Sequence, residues 1–285
     1  MYPPKFEYHR ASSVEEAIKL VSEHDGKFLA GGHSLIPVMN LRLADPGTLV
    51  DIGRLDNLKG IANDNGLIKI SALTTHAMIA ASSDVPTGLS EAAGMIGDPQ
   101  VRNRGTIGGN VAHADPASDL PTILTALRAK FRIAGADGRR TVDADDFFVD
   151  LFETALADNE ILIGVGVAAE EAGTGSAYAK LFNPASRYAM VGAAVCVTIT
   201  DGVCSAASAA VGGLTVKATR AASVEAVLVG KPLNEGTIAA AAAAVANDLG
   251  DDVMGDMHAS ADYRRQMAPV MMQQALESAA ARASA

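Results

Sequence analysis

Short apolar runs broken by glycine, proline and acidic turns fill the first part of the chain, and their spacing alternates between helix and strand periods. Ser13-Val14-Glu15-Glu16 has capping-box spacing, with Ser13 as N-cap and Glu16 three residues on. Ala17, Ile18, Leu20 and Val21 then form the apolar face of a short helix that His24-Asp25-Gly26 ends. Residues 27–30 have strand character and stop at Gly31-Gly32. After His33, a second apolar set (Leu35, Ile36, Val38, Met39, Leu41, Leu43) suits a helix, with Ser34 as N-cap and Pro37 in the first turn. Residues 48–52 close this unit as a strand.

A second unit begins with the turn Asn63-Asp64-Asn65-Gly66 and an alternating strand at 67–71. Helices are expected from Thr74-Thr75-His76 and over 90–96. The stretch 97–121 has almost no regular period and reads as a long functional loop. Ser118-Asp119-Leu120-Pro121 opens a helix, 131–134 and 139–142 form a hairpin through Ala136-Asp137-Gly138, and 160–163 is a strand. A linker is expected at 170–175. Beyond it, 178–182, 193–200 and 203–211 read as three antiparallel strands, the last pair joined by Asp201-Gly202. That turn sets Cys204 opposite Ile199 and Cys196 opposite Ala207. Alanine-rich helices follow at 238–249 and 261–281, the second kinked or broken at Pro269. The division is 1–172, with subdomains of about 1–55 and 56–172, and 176–285.

Candidate chemistry centres on two glycine pairs far apart in sequence. A strand running through Gly31-Gly32 into a helix start gathers unpaired N–H groups where no Cβ blocks an anion. Gly105-Thr106-Ile107-Gly108-Gly109-Asn110 again joins paired glycines to a hydroxyl and an amide, and Asp115 follows. Two such stretches suggest a diphosphate gripped from both sides, with Arg102 and Arg104 as helpers. Gly164-Val165-Gly166-Val167-Ala168-Ala169 fits G-x-G-x-x-A, but the residues after it are poor helix formers, so it reads as a strand end.

The net charge of −10 argues against nucleic acid and leaves any phosphate to local amides and dipoles. Two cysteines are too few for a cluster of four thiolates. The six histidines show neither H-x-x-x-H nor H-E-x-x-H, so no metal ligands are expected. Asp145-Asp146 reads as a helix cap or a solvated face, and Ser34 lacks the G-x-S-x-G setting of a hydrolase. There is no apolar leader and no run of ~20 apolar residues, so a cytoplasmic protein without a transmembrane segment is expected. With no proton-transfer or metal machinery, the reactive atoms are expected to belong to a bound cofactor.

A-G-G-H-S at Ala30 to Ser34 and T-I-G-G-N at Thr106 to Asn110, with D-P-Q-V-R-N-R-G before the second and A-D-P after it, resemble the FAD-binding medium subunit of molybdenum hydroxylases, the xanthine dehydrogenase relatives. The first spelling is most similar to the medium subunits of aerobic carbon monoxide dehydrogenases. The resemblance implies an α+β fold: a two-subdomain FAD-binding domain of the vanillyl-alcohol-oxidase/PCMH-like type, then a C-terminal three-stranded antiparallel sheet with helices. It implies that Ala30, Gly31, Gly32, His33, Ser34, Leu35 and Ile36 hold FAD together with Thr106, Gly108, Gly109, Asn110 and Asp115. Leu162 and Lys180 match positions near the flavin, and Tyr188 matches an aromatic that shields its ring. No catalytic residue is implied on this chain.

The implied partners are a large molybdopterin subunit and a small subunit with two [2Fe–2S] clusters, assembled as a dimer of heterotrimers. Electrons would pass through FAD to an external acceptor, quinone in the carbon monoxide enzymes, and the assembled complex could lie peripherally at the inner membrane. Three rivals stand beside this reading: the same subunit of a hydroxylase acting on an aldehyde, purine or N-heterocycle, a free-standing FAD oxidoreductase, and a non-enzymatic nucleotide-binding module.

Overall fold

The computed structural model describes residues 2–285. The first unit is β1 (Glu7–Arg10), α1 (Val14–His24), β2 (Lys27–Leu29), α2 (Leu35–Asn40) and β3 (Thr48–Asp51). Its sheet has the order β1-β3-β2 with both pairings parallel. Ser13 caps α1 by accepting from the Glu16 N–H, as its spacing predicts. The Glu16 carboxylate reaches one residue further back than a capping box requires, accepting from the Ser12 N–H. Val14, Ala17, Ile18 and Val21 bury the inner face of α1.

α2 corrects an expectation. It ends at Asn40 rather than running to Leu43, and Ser34 makes no side-chain cap. Arg42 turns into the left-handed region (φ 59°), which leaves Leu41 and Leu43 in solvent.

The second unit is built on a five-stranded antiparallel sheet with the order β4-β5-β10-β6-β7. Its elements in sequence are β4 (Ile61–Asp64), β5 (Leu67–Ser71), α3 (His76–Ala80), α4 (Thr87–Met95), α5 (Pro99–Arg102), α6 (Ile107–His113), α7 (Asp119–Ala126), β6 (Lys130–Gly135) and β7 (Gly138–Asp143). A short excursion follows through α8 (Ala144–Phe147), β8 (Phe148–Asp150) and β9 (Glu153–Thr154), before β10 (Ile161–Ala168) returns to the centre of the sheet. The stretch 97–121 is therefore not one loop. It holds α5 and α6, each too short, and α6 too rich in glycine, to print a helical period. The Gly164-Val165-Gly166 pattern lies inside β10 and opens no helix.

β10 is shared between two cores. Ile161 and Ile163 join α1 and β3 in the first core, while Leu162, Val165 and Val167 face the second. Ile161, Leu162 and Ile163 alternate with the two-residue period of a strand, and the register shift between Leu162 and Gly164 then turns Val165 and Val167 to the second core.

The third unit is the antiparallel sheet β11 (Thr174–Phe182), β12 (Ala189–Thr200), β13 (Val203–Gly212) and β14 (Thr219–Arg220). It carries four strands, one more than the pattern predicts, because β14 is only two residues long. Ile199 pairs with Cys204 as expected, but a register shift between Thr198 and Ile199 puts Cys196 opposite Ser208 instead of Ala207.

One face of this sheet (Val191, Val195, Val197, Val211) is covered by α9 (Ala222–Leu228), α10 (Glu235–Ala244) and α11 (Ala261–Ala283). The opposite face lends Ala194 and Ala210 to the second core. Of the kink or break expected at Pro269, α11 shows no break: it runs as one helix through that residue. Pro269 forfeits one backbone bond, but Ala268, Met271, Met272, Ala275 and Leu276 hold the same helix into the core.

Polar contacts join the third unit to the second. Glu170, in the expected linker, accepts from the N–H and hydroxyl of both Thr87 and Ser176. Arg282 of α11 pairs with Glu91 of α4 and donates to the Ser176 carbonyl at 2.5 Å.

Candidate functional site

The strand β2 delivers Ala30 and Gly31-Gly32 into an open cleft of 570 Å3 between the first and second units. Gly32 has φ 75°, a conformation that a residue with a Cβ adopts only at a cost. The turn it makes leaves five consecutive amides, Gly31 to Leu35, with no acceptor among the described residues. Such a run of free N–H groups at a helix start is a concave donor surface for an anion. The His33 ring reaches back to the Gly31 carbonyl at 3.3 Å, and Ile36 joins the cleft wall from α2.

The second glycine motif meets the first directly. Gly31 packs on the Arg104–Gly105 backbone so closely that a Cβ on it would stand 2.1 Å from the Arg104 carbonyl oxygen. Thr106 lines the same cleft and caps α6 by accepting from the Gly109 N–H at 3.2 Å. Gly108 is pressed against Ala72, to whose carbonyl its N–H donates at 2.8 Å. The amides of Gly108 and Gly109 are thus spoken for. What this motif presents outward is the exposed Gly109 backbone and the Asn110 side chain, whose Oδ1 accepts from the Ser118 hydroxyl at 2.8 Å.

The cleft also holds cations. Arg104 lines it as the sequence suggests, and Arg10, Arg54 and Lys59, which sequence spacing does not reveal, join it, with Asp51 as its acid. They come from β1, the turn after β3, the approach to β4 and the turn after α5, so only the fold brings them together. Arg102 does not join them, because its guanidinium donates to the Ile96 and Gly97 carbonyls. This local positive charge answers the overall excess of acid.

Behind the second motif lies His76, 3% exposed, packed on Gly105 and donating its N–H to the Gly105 carbonyl at 3.0 Å. Burial, with His33 nearby, lowers its pKa to about 4. Its Nδ1 has no hydrogen-bond partner.

Asp115, Lys180 and Tyr188 gather at the other end of α6, about 10 Å from Thr106 along the helix axis. Asp115 accepts from the Ala117 N–H at 2.9 Å. Tyr188 is 45% exposed, and its hydroxyl titrates above the usual tyrosine range because of burial and then the charges of Asp115 and Asp119. Lys180 is buried, and its ammonium is fully engaged by Asp119 at 2.8 Å, the Arg187 carbonyl at 2.7 Å and the Met95 carbonyl at 3.1 Å. Burial pushes the Asp119 carboxyl upward, while Lys180 and the Tyr178 hydroxyl at 2.7 Å act against that shift. Lys180 therefore holds the turn 183–188 that carries Tyr188. Leu162 is 4% exposed and belongs to the second core, outside the cleft lining.

Free amides, a hydroxyl cap, a Cβ-free seam and four cations fit the diphosphate of a dinucleotide. The comparisons agree. A family model described as the FAD binding domain in molybdopterin dehydrogenase matches residues 4–168. A second, the CO dehydrogenase flavoprotein C-terminal domain, matches residues 176–279. The chain is 41% identical to the carbon monoxide dehydrogenase medium chain of Hydrogenophaga pseudoflava, over 99% of each chain. It is 38% identical to the 6-hydroxypseudooxynicotine dehydrogenase complex subunit alpha of Paenarthrobacter nicotinovorans, over 99% of this chain and 97% of that one. A solved structure of the Hydrogenophaga pseudoflava carbon monoxide dehydrogenase superposes with a TM-score of 0.94, covering 99% of both chains. The chain belongs to the family of FAD-binding medium subunits of the molybdenum hydroxylases, oxidoreductase components of the carbon monoxide dehydrogenase type.

Proposed function

We propose that this chain carries electrons out of a three-component enzyme that oxidises carbon monoxide, with a large molybdopterin subunit and a small subunit bearing two [2Fe–2S] clusters as its partners. The observation that carries the cofactor assignment is the seam between the two glycine motifs, where Gly31 lies on Arg104–Gly105 beneath five free amides. Bound FAD supplies the redox chemistry, linking clusters that deliver electrons to an external acceptor, for which we take quinone.

The chain's own residues bind and orient. Gly31, Gly32, His33, Ser34 and Leu35 offer backbone donors to the diphosphate, and Ala30 and Ile36 wall the turn. Thr106, Gly109 and Asn110 close on it from α6, which Gly108 lets pack against Ala72, while Arg54, Lys59 and Arg104 neutralise charge. At the far end of α6, Asp115 and Tyr188 would hold the flavin portion, with Tyr188 as the aromatic that would shield its ring. Lys180 acts through the backbone it holds, and Leu162 supports the site from the core.

The test is the purified complex of three subunits, kept free of oxygen. Addition of carbon monoxide should bleach the flavin absorbance, and a soluble quinone should restore it. A flavin that stays oxidised under carbon monoxide but bleaches with an aldehyde, a purine or an N-heterocycle such as 6-hydroxypseudooxynicotine would move the substrate to that of the other relatives. Turnover of an organic substrate by this chain alone would overturn the electron-carrier reading. Mass measurement should give a dimer of heterotrimers, and fractionation should place the complex in the cytoplasm or loosely at the inner membrane.

A further inference from the structure

The edge strand β1 carries a cluster unrelated to the cofactor cleft. Glu7 and His9 share one face of β1, opposite Tyr8 and Arg10. His24, the last residue of α1, comes against them. The His9 and His24 rings stack with centroids 4.5 Å apart and planes 20° apart. Glu7 Oε2 stands 3.8 Å from His9 Nε2. One ligand atom from each of the three side chains falls within 4.8 Å of the others. His9 Nε2 is buried and has no hydrogen-bond partner, so a nitrogen lone pair or proton points at this small volume unanswered.

We infer that Glu7, His9 and His24 form a binding site for a divalent first-row transition ion of the zinc type. Two imidazoles and a carboxylate are a donor set that zinc, nickel and cobalt accept and that magnesium and calcium do not favour. Donor atoms on a tetrahedral ion at 2.0–2.2 Å are ~3.4 Å apart. The ligand atoms therefore close by at most ~1.4 Å on binding, with the imidazoles opening from their stack. Glu7 and His24 are exposed and free to make that movement, and water takes the fourth position. The ion would clip the edge strand β1 to the end of α1, the two elements that flank the first core on this side. It would also stiffen the strand that sends Arg10 to the cofactor cleft from its other face. Sequence spacing hides the set, because two ligands come from a strand and one from a helix end.

The experiment uses the full chain, FAD-loaded, made without a histidine tag and cleared of metal by a chelator. Calorimetric titration with zinc chloride should show one ion per chain, and magnesium chloride at the same concentration should not displace it. His24→Ala and Glu7→Ala, both at exposed positions, should each weaken zinc binding by about a hundredfold, since even an outer partner of a ligand is worth ~10–100-fold. Their flavin content should equal that of the unmodified chain. Cobalt should give the visible bands of a tetrahedral site in the unmodified chain and lose them in His24→Ala. Zinc binding that is absent at millimolar concentration, or equally tight in both variants, overturns the proposal.

Discussion

Gly31 leaves no room for a side chain. A Cβ there would collide with the Arg104 carbonyl, which is backbone and has nowhere to retreat without parting the two motifs. Gly31→Ala is therefore expected to fold but to lose most of its FAD on gel filtration, read as the ratio of flavin to protein absorbance. Gly32→Val should do the same for a different reason, since φ 75° costs an L-residue ~1–2 kcal/mol before any contact is counted. Gly109→Val adds a group 3.0 Å from the Thr106 hydroxyl that caps α6 and should release the cofactor as well.

His76 makes a prediction about pH. Its folded pKa of about 4 lies below the ordinary 6.5, so between those values the unfolded chain binds more protons. The stability due to neutral His76 is complete above pH 6.5 and is lost as pH falls toward 4, by up to ~3 kcal/mol. His76→Gln should flatten the dependence of urea midpoints on pH in that window, and an unchanged slope would refute the assignment.

Among the elements, β11 and the turn 183–188 depend on one buried ion pair. Lys180→Met would strand Asp119 without its cation, at a cost of ~3–5 kcal/mol. It would also free the Arg187 carbonyl, so cleavage of the turn by a protease should speed up. The double variant with Asp119→Leu should recover most of the stability without restoring the turn.

Elements with a clear period were legible in the sequence. The Ser13 cap, the Asp201-Gly202 hairpin and the three long C-terminal strands all announce themselves locally. α5 and α6 did not, because two glycines and a helix of seven residues leave no apolar stripe to see. The glycine motifs pointed to the cleft through their backbone chemistry, whereas Arg10, Arg54 and Lys59 acquired a role only through tertiary proximity. The Cys196 register slipped because a β-bulge carries no marker in the residues themselves.

In the whole molecule, the second core touches both of the others and no unit stands apart. The third sheet gives Ala194 and Ala210 to the second core, and Glu170 and the Glu91–Arg282 pair tie the remaining seam. Four cleft cations in a chain of net charge −10 concentrate attraction for a phosphate where the amides wait and leave the outer surface repelling it.

β10 turns odd-numbered isoleucines toward one core and its even neighbour Leu162 toward the other. Neither of the first two units can come apart and leave this strand intact for its neighbour. Differential scanning calorimetry should accordingly record a single endotherm for both, with van't Hoff and calorimetric enthalpies in agreement. A heated chain would keep its cofactor pocket whole up to that temperature and then forfeit both halves at once, with no half-open species lingering to shed flavin.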